Sequence, residues 1–172
     1  MIDYGAGNLR SVANALRAAG AGDVQLCANA DDVRAADRIV LPGVGAFGAC
    51  IAALRAVDGM VDALDARVRT DGVPFLGICV GMQLLADTGI EHGHHAGLGW
   101  IGGTVSPLEP ADPSVCIPHM GWNDVHAERA HPLIEPGEAY FLHGYHLIAA
   151  DPAAVIATSA HGLPITAAVA RG

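Results

Sequence analysis

Cys79 is where this sequence offers chemistry. It closes the apolar run of PFLGICVGMQLL (74–85) and stands between Gly77 and Gly81. A strand that runs straight into a helix must turn sharply, and its turn residue is forced into backbone angles that only small neighbours tolerate. Such a turn lifts its side chain above the strand ends, where open α/β sheets bind ligands. A thiol there is an expected nucleophile. The N–H groups of the following helix are expected to favour the thiolate, and to hold an oxyanion when a carbonyl is attacked. Cys27, Cys50 and Cys116 have no comparable setting and read as small buried hydrophobes. With no C-x-x-C pair among them, the four cysteines read as reduced cytoplasmic thiols, not as disulfides or a zinc site.

Two other stretches could carry chemistry. GVGAFG (43–48) satisfies G-x-G-x-x-G after a strand and before a helix, which is a dinucleotide pattern. That fingerprint needs an acid at a strand end ~20 residues on. Here Asp58 and Asp62 fall among helical residues, so the pattern reads as a loop beside the thiol. The nine histidines begin at His92. HGHH (92–95) lacks an acidic or cysteine partner at ligand spacing, and no metal or organic cofactor is implied.

These residues need elements to position them. The first half alternates. Leu9, Val12, Ala13 and Leu16 lie at helical spacing, with Asn8 as N-cap and Gly20 as stop. DVQLC (23–27) reads as a strand, and DDVRAAD as a helical turn. RIVL (38–41) reads as a strand ended by Pro42. Phe47, Ile51 and Leu54 mark one helix, and Val61, Leu64 and Val68 another. VPFLGI (73–78) is the strand that delivers Cys79 to a further helix. The pattern predicts an α/β fold: a mixed, mostly parallel twisted sheet with helices on both faces and the elbow at Cys79. The second half, rich in Gly, Pro and His, predicts antiparallel or mixed strands at 98–105, 115–118, 139–142, 154–158 and 165–169. Trp122 reads as one large buried ring on a strand.

Composition narrows the function. The chain is 52% hydrophobic and 16% charged, which excludes disorder, and its formal charge of −9 disfavours nucleic acid as a partner. No apolar run approaches the ~20 residues of a membrane span.

GICVGMQLL resembles the nucleophile elbow of the class I (triad) glutamine amidotransferases, which hydrolyse the side-chain amide of glutamine and hand the ammonia to a synthase. IDYGAGNLRSV (2–12), LPGVGAF (41–47), PHMGWN (118–123), GLGWIGGTV (97–105) and PITAAVAR (164–171) are similar to the glutaminase subunits of imidazole glycerol phosphate synthase. The resemblance implies a flavodoxin-like fold and residue roles. Cys79 is the nucleophile; Val44, Gly45 and the Val80 N–H line the oxyanion hole. Gly43, Gln83, Glu91, Gly144 and Tyr145 fall at substrate positions, Gly144 where the family usually has serine. Asn8, Arg10, His119, Met120, Trp122 and Asn123 face a partner, a (β/α)8-barrel cyclase of histidine biosynthesis. The family's base is the histidine of a His-Pro-Glu motif that residues 1–172 do not contain; His143 is the local candidate by position. With only Met1–Asp3 before the first turn, the expectation is one amidotransferase domain, residues 1–172, truncated at both ends. Two other readings are a non-catalytic scaffold with the same fold and partner, and an unrelated cysteine hydrolase. Gln83 and PHMGWN speak against the hydrolase.

Overall fold

Asn8 opens the first helix as its spacing predicts. In the computed structural model, which describes residues 1–171, its side chain accepts the Ser11 N–H at 3.2 Å, and helix α1 runs Leu9–Ala18. Gly20, at φ +95°, follows the helix end. Asn29 caps α2 (Ala30–Arg34) in the same way, through the Asp32 N–H. Strand β1 (Ile39–Gly43), α3 (Phe47–Ala56), α4 (Met60–Leu64), β2 (Phe75–Cys79) and α5 (Val80–Gln83) follow. The residues after α4, Asp65–Thr70, continue as a π-helical turn. β1 and β2 pair in parallel, with Gly43 opposite Cys79.

The opening residues make a single rung of strand. Ile2 N–H donates to Val40 O at 2.9 Å, and Cys27 N–H donates to Met1 O at 2.9 Å, so the chain start threads between Cys27 and β1. Two expectations are corrected here. DVQLC contributes one bridge, at Cys27, rather than a strand. Pro42 does not end β1, because in this parallel ladder it lies opposite Ile78 and the strand continues to Gly43. Ile2, Val33, Ile39, Leu41, Phe47, Leu54, Met60 and Leu64 are buried, each worth roughly 1.5–3 kcal/mol of transfer free energy.

The chain divides into two units, Met1–Leu85 and Ala86–Gly172. In the second, β3 (Thr88–Gly89), β4 (His95–Ala96), β5 (Gly103–Pro107) and β8 (Tyr145–Ala149) form a mixed sheet in the order β4-β3-β5-β8. β6 (His119–Ala127), β7 (Gly137–His143), β9 (Val155–Ala160) and β10 (Pro164–Val169) form an antiparallel one, ordered β10-β9-β6-β7. The strands expected at 98–105 and 115–118 lie later in the chain, at 103–107 and 119–127. Trp100, Val105, Leu147, Ile156 and Ile165 are buried in this unit. Among the described residues no helix is long and apolar enough to cross a membrane.

Candidate active site

The turn at Cys79 is built from backbone. Cys79 ends β2 at φ +56°, a region that non-glycine residues rarely occupy, and α5 starts at the next residue. The flanking glycines are required by close approach. A Cβ on Gly77 would sit 2.6 Å from Gly81 O, and one on Gly81 would fall on Leu41 O. A Cβ on Gly43 would lie 2.5 Å from Gly81 N. The short helix therefore rests directly on the ends of both strands, and only hydrogen fits between.

The result is an exposed thiol, whereas Cys27 and Cys50 are buried as expected. Cys116 is exposed too, against expectation: it lies outside the strands, in the segment before β6. The expected electrostatics of Cys79 are also corrected. Crowding by protein atoms pushes its pKa up, and the Val80 N–H offsets this only in part. A helix of four residues, Val80–Gln83, has little dipole with which to favour the thiolate.

The loop after β1 lies beside this turn, since Gly43 is opposite Cys79. Val44 is 60% exposed, and Gly45 takes φ +96° with open space around it, so glycine is needed there for conformation rather than room. Two side chains grip this loop. Tyr4 Oη donates to Pro42 O at 2.9 Å, and Cys50 Sγ–H donates to Val44 O at 3.2 Å. Gln83 is buried on α5. Asn8 and Arg10 are exposed, the former occupied as the cap of α1.

In the second unit, Glu91 is half-buried in the loop after β3. Gly144 separates β7 from β8, and the nearest atom to a Cβ there would be Ile117 Cγ2 at 3.8 Å, so a serine would have room. The Tyr145 carbonyl accepts from His143 Nδ1 at 2.9 Å. That bond begins a chain. His143 Nε2 is 3.1 Å from His119 Nδ1, and His119 Nε2 is 3.0 Å from Asn123 Nδ2, which also donates to Ala160 O at 2.8 Å. Because the amide nitrogen can only donate, the direction of every bond follows: Asn123 Nδ2 donates to His119, His119 to His143, and His143 to the carbonyl. Both rings must be neutral. Burial, with His161 and His143 nearby, pushes the His119 pKa down to about 4, and burial lowers that of His143. His119 also stacks between Phe141 and His161, with ring centroids 4.7 and 4.2 Å away.

The alternation of β6 separates the residues of PHMGWN. His119 and Asn123 share one face, while Met120 and Trp122 share the other and are 60% and 71% exposed. Trp122 is not the buried ring that its size suggests. It meets Tyr140 edge-on at 5.8 Å, and Met120 pairs with Leu142, so four large apolar side chains stand exposed on one face in two alternate rungs. Sequence reading did not single out Tyr4, Tyr140 or Leu142, and it named Asn123 and His143 for other roles, not as partners of His119. The alternation in AYFLH (139–143) was the available signal for Tyr140 and Leu142.

Residues 1–171 match the family model for glutamine amidotransferase class I. An imidazole glycerol phosphate synthase subunit HisH from Zymomonas mobilis is 58% identical, over 99% of this chain and 82% of the relative. The proteins of that name from Rhodospirillum rubrum and Mesorhizobium japonicum are 51% and 50% identical, each across 99% of this chain and 85% of the relative. A solved glutamine amidotransferase superposes with a TM-score of 0.71 at 16% identity, covering 96% of this chain and 86% of its own. That likeness agrees with the α/β fold class expected. The chain belongs to the class I glutamine amidotransferases and, within them, to the HisH subunits of imidazole glycerol phosphate synthase.

Proposed function

We propose that this chain hydrolyses glutamine to glutamate and ammonia, with Cys79 as nucleophile, and supplies the ammonia to a cyclase subunit. The observation that carries the reading is an exposed thiol on a positive-φ turn, in a chain 58% identical to a HisH subunit. The sulfur attacks the side-chain amide carbon, and the C–S bond forms as the carbonyl oxygen gains charge. The N–H groups of Val80 and of the Val44–Gly45 loop stabilise that oxyanion. The C–N bond then breaks, the nitrogen takes a proton and leaves as ammonia, and water releases glutamate from the thioester. Because the Cys79 pKa is raised, the thiol is protonated at neutral pH, and a base must take its proton and pass it to the departing nitrogen.

Gly43, Gln83, Glu91, Gly144 and Tyr145 are assigned to glutamine, with Glu91 on the α-ammonium, a charge-assisted contact. Asn8, Arg10, Met120 and Trp122 are assigned to the partner face; His119 and Asn123, expected on that face as well, share the opposite face of β6, with His119 buried, and are assigned to bracing the strand. The partner is a (β/α)8-barrel cyclase, which uses the ammonia to make imidazole glycerol phosphate and aminoimidazole carboxamide ribotide in histidine biosynthesis. The free cysteines suit a reducing, cytoplasmic setting.

The test is Cys79→Ala in complex with the cyclase. Glutamate release should stop, while synthesis from free ammonia continues and the complex still forms. An electrophilic glutamine analogue should label Cys79 and spare Cys116, the other exposed thiol. Hydrolysis that survives the substitution, or equal labelling of the two, rules the reading out.

A further inference from the structure

We propose that Tyr4 and Cys50 are positioning residues: they pin the carbonyls on either side of the Gly43–Val44 peptide and so hold the backbone of the Pro42–Gly45 loop in place. The inference rests on the reading of this loop as an oxyanion donor.

The geometry is local to the first unit. Tyr4 is buried, and its hydroxyl donates to Pro42 O at 2.9 Å. Cys50, 1% exposed on the first turns of α3, donates to Val44 O at 3.2 Å, a close approach for a thiol donor. Both donors come from outside the loop, and water cannot replace a group as buried as the Cys50 thiol. Burial and the neighbouring Cys50 push the Tyr4 pKa up, so its hydroxyl keeps its proton.

With the Pro42 and Val44 carbonyls held, the peptide planes that contain them are fixed. The plane between them carries the Val44 N–H. Rotating it alone would turn the Gly43 carbonyl away from its place opposite Cys79 in the ladder and change φ at Val44, a β-branched residue. The Gly81 backbone, 2.5 Å from where a Cβ on Gly43 would stand, keeps that position a glycine. The pins thus hold the Val44 N–H in one direction. An oxyanion donor contributes only when it is already in place as charge develops. Loosening the loop should therefore cost turnover rather than glutamine binding.

The experiment uses the whole chain bound to the cyclase, with the cyclase substrate present. Cys50→Ala and Tyr4→Phe each remove one pin and little volume. The expected result is a fall in kcat of roughly tenfold with KM for glutamine within about twofold. Cys50→Ser, whose hydroxyl can donate to the same carbonyl, should recover most of the loss. Alkylation of Cys79 by iodoacetamide, which builds no oxyanion, should proceed at the wild-type rate in all three. Wild-type kcat in both Cys50→Ala and Tyr4→Phe overturns the inference. A loss that serine does not recover overturns it too, as does one that comes with slower alkylation or a lowered Tm, since general loosening would explain either. Failure of the parent reading looks different: Cys79→Ala would then retain hydrolysis.

Discussion

Around Cys79 the close contacts run from backbone to backbone; around His119 they run from ring to ring. Gly43, Gly77 and Gly81 let the α5 backbone rest on two strands with nothing between, and the thiol stands on that platform at φ +56°. In the second unit, Asn123, His119 and His143 pass hydrogen bonds in one direction to the Tyr145 carbonyl, and each depends on its neighbour's proton. The first region is sensitive to volume and indifferent to pH over the neutral range. The second is sensitive to protonation and has room for a side chain at Gly144, where a Cβ would meet only Ile117 at ordinary contact distance. One molecule thus fixes two segments by opposite means, and substitutions should tell them apart.

The largest effect is expected at Gly81. An alanine there would set its methyl on the Leu41 carbonyl, a backbone atom that cannot swing away. The strand or the helix must move, at a cost of about 3 kcal/mol or more. Thermal unfolding of Gly81→Ala should show Tm lowered by roughly 6–12 °C, with glutamine hydrolysis lost because Cys79 is displaced. A variant with wild-type Tm would mean that the turn is softer than its packing implies.

The histidine chain should respond to acid. A histidine whose folded pKa lies below its unfolded value binds fewer protons folded than unfolded, so stability falls as pH drops through the interval between the two. For His119 that interval runs from 6.5 down to about 4, and His143 and His146 are lowered in the same direction. Protonating His119 would place two donors face to face at Asn123. Urea unfolding of the wild type should therefore lose midpoint steadily between about pH 6.5 and pH 4. His119→Gln should flatten that slope while Gly81→Ala leaves it unchanged. Equal slopes in wild type and His119→Gln would show that the rings titrate freely.

What could be read in advance follows the same division. The glycines about Cys79 announce a backbone device, since Gly77 and Gly81 have no other reason to flank an apolar run, and the Asn8 cap and the Phe47, Ile51, Leu54 stripe have equally local causes. The histidine chain could not be read, because His119, His143 and His161 are brought together by strand pairing across many residues. The Cys79 electrostatics were misjudged for a related reason. The length of α5 and the crowding of the sulfur depend on packing, and both work against the thiolate. Cys50 was read correctly as buried, but its hydrogen bond to Val44 depends on how α3 meets the loop.

Trp122 sharpens the comparison from the side of no effect. It lies on β6 between His119 and Asp124, next to the histidine chain in sequence, yet the pleat turns it to the opposite face, where it is 71% exposed. Removing an exposed ring that takes no part in the chain should change stability by no more than about 0.5 kcal/mol. Trp122→Ala should therefore unfold within roughly 2 °C of wild type and keep its acid slope. If the row of Met120, Trp122, Tyr140 and Leu142 is the partner face, the same substitution should weaken binding to the cyclase about 30-fold, the loss of a central aromatic anchor worth ~2 kcal/mol. Titrating wild type and variant against the cyclase, alongside their melting curves, separates the two faces of one strand. A Trp122→Ala protein that melts early but binds normally would place the ring in the fold, and one that does neither would leave the exposed row without a partner.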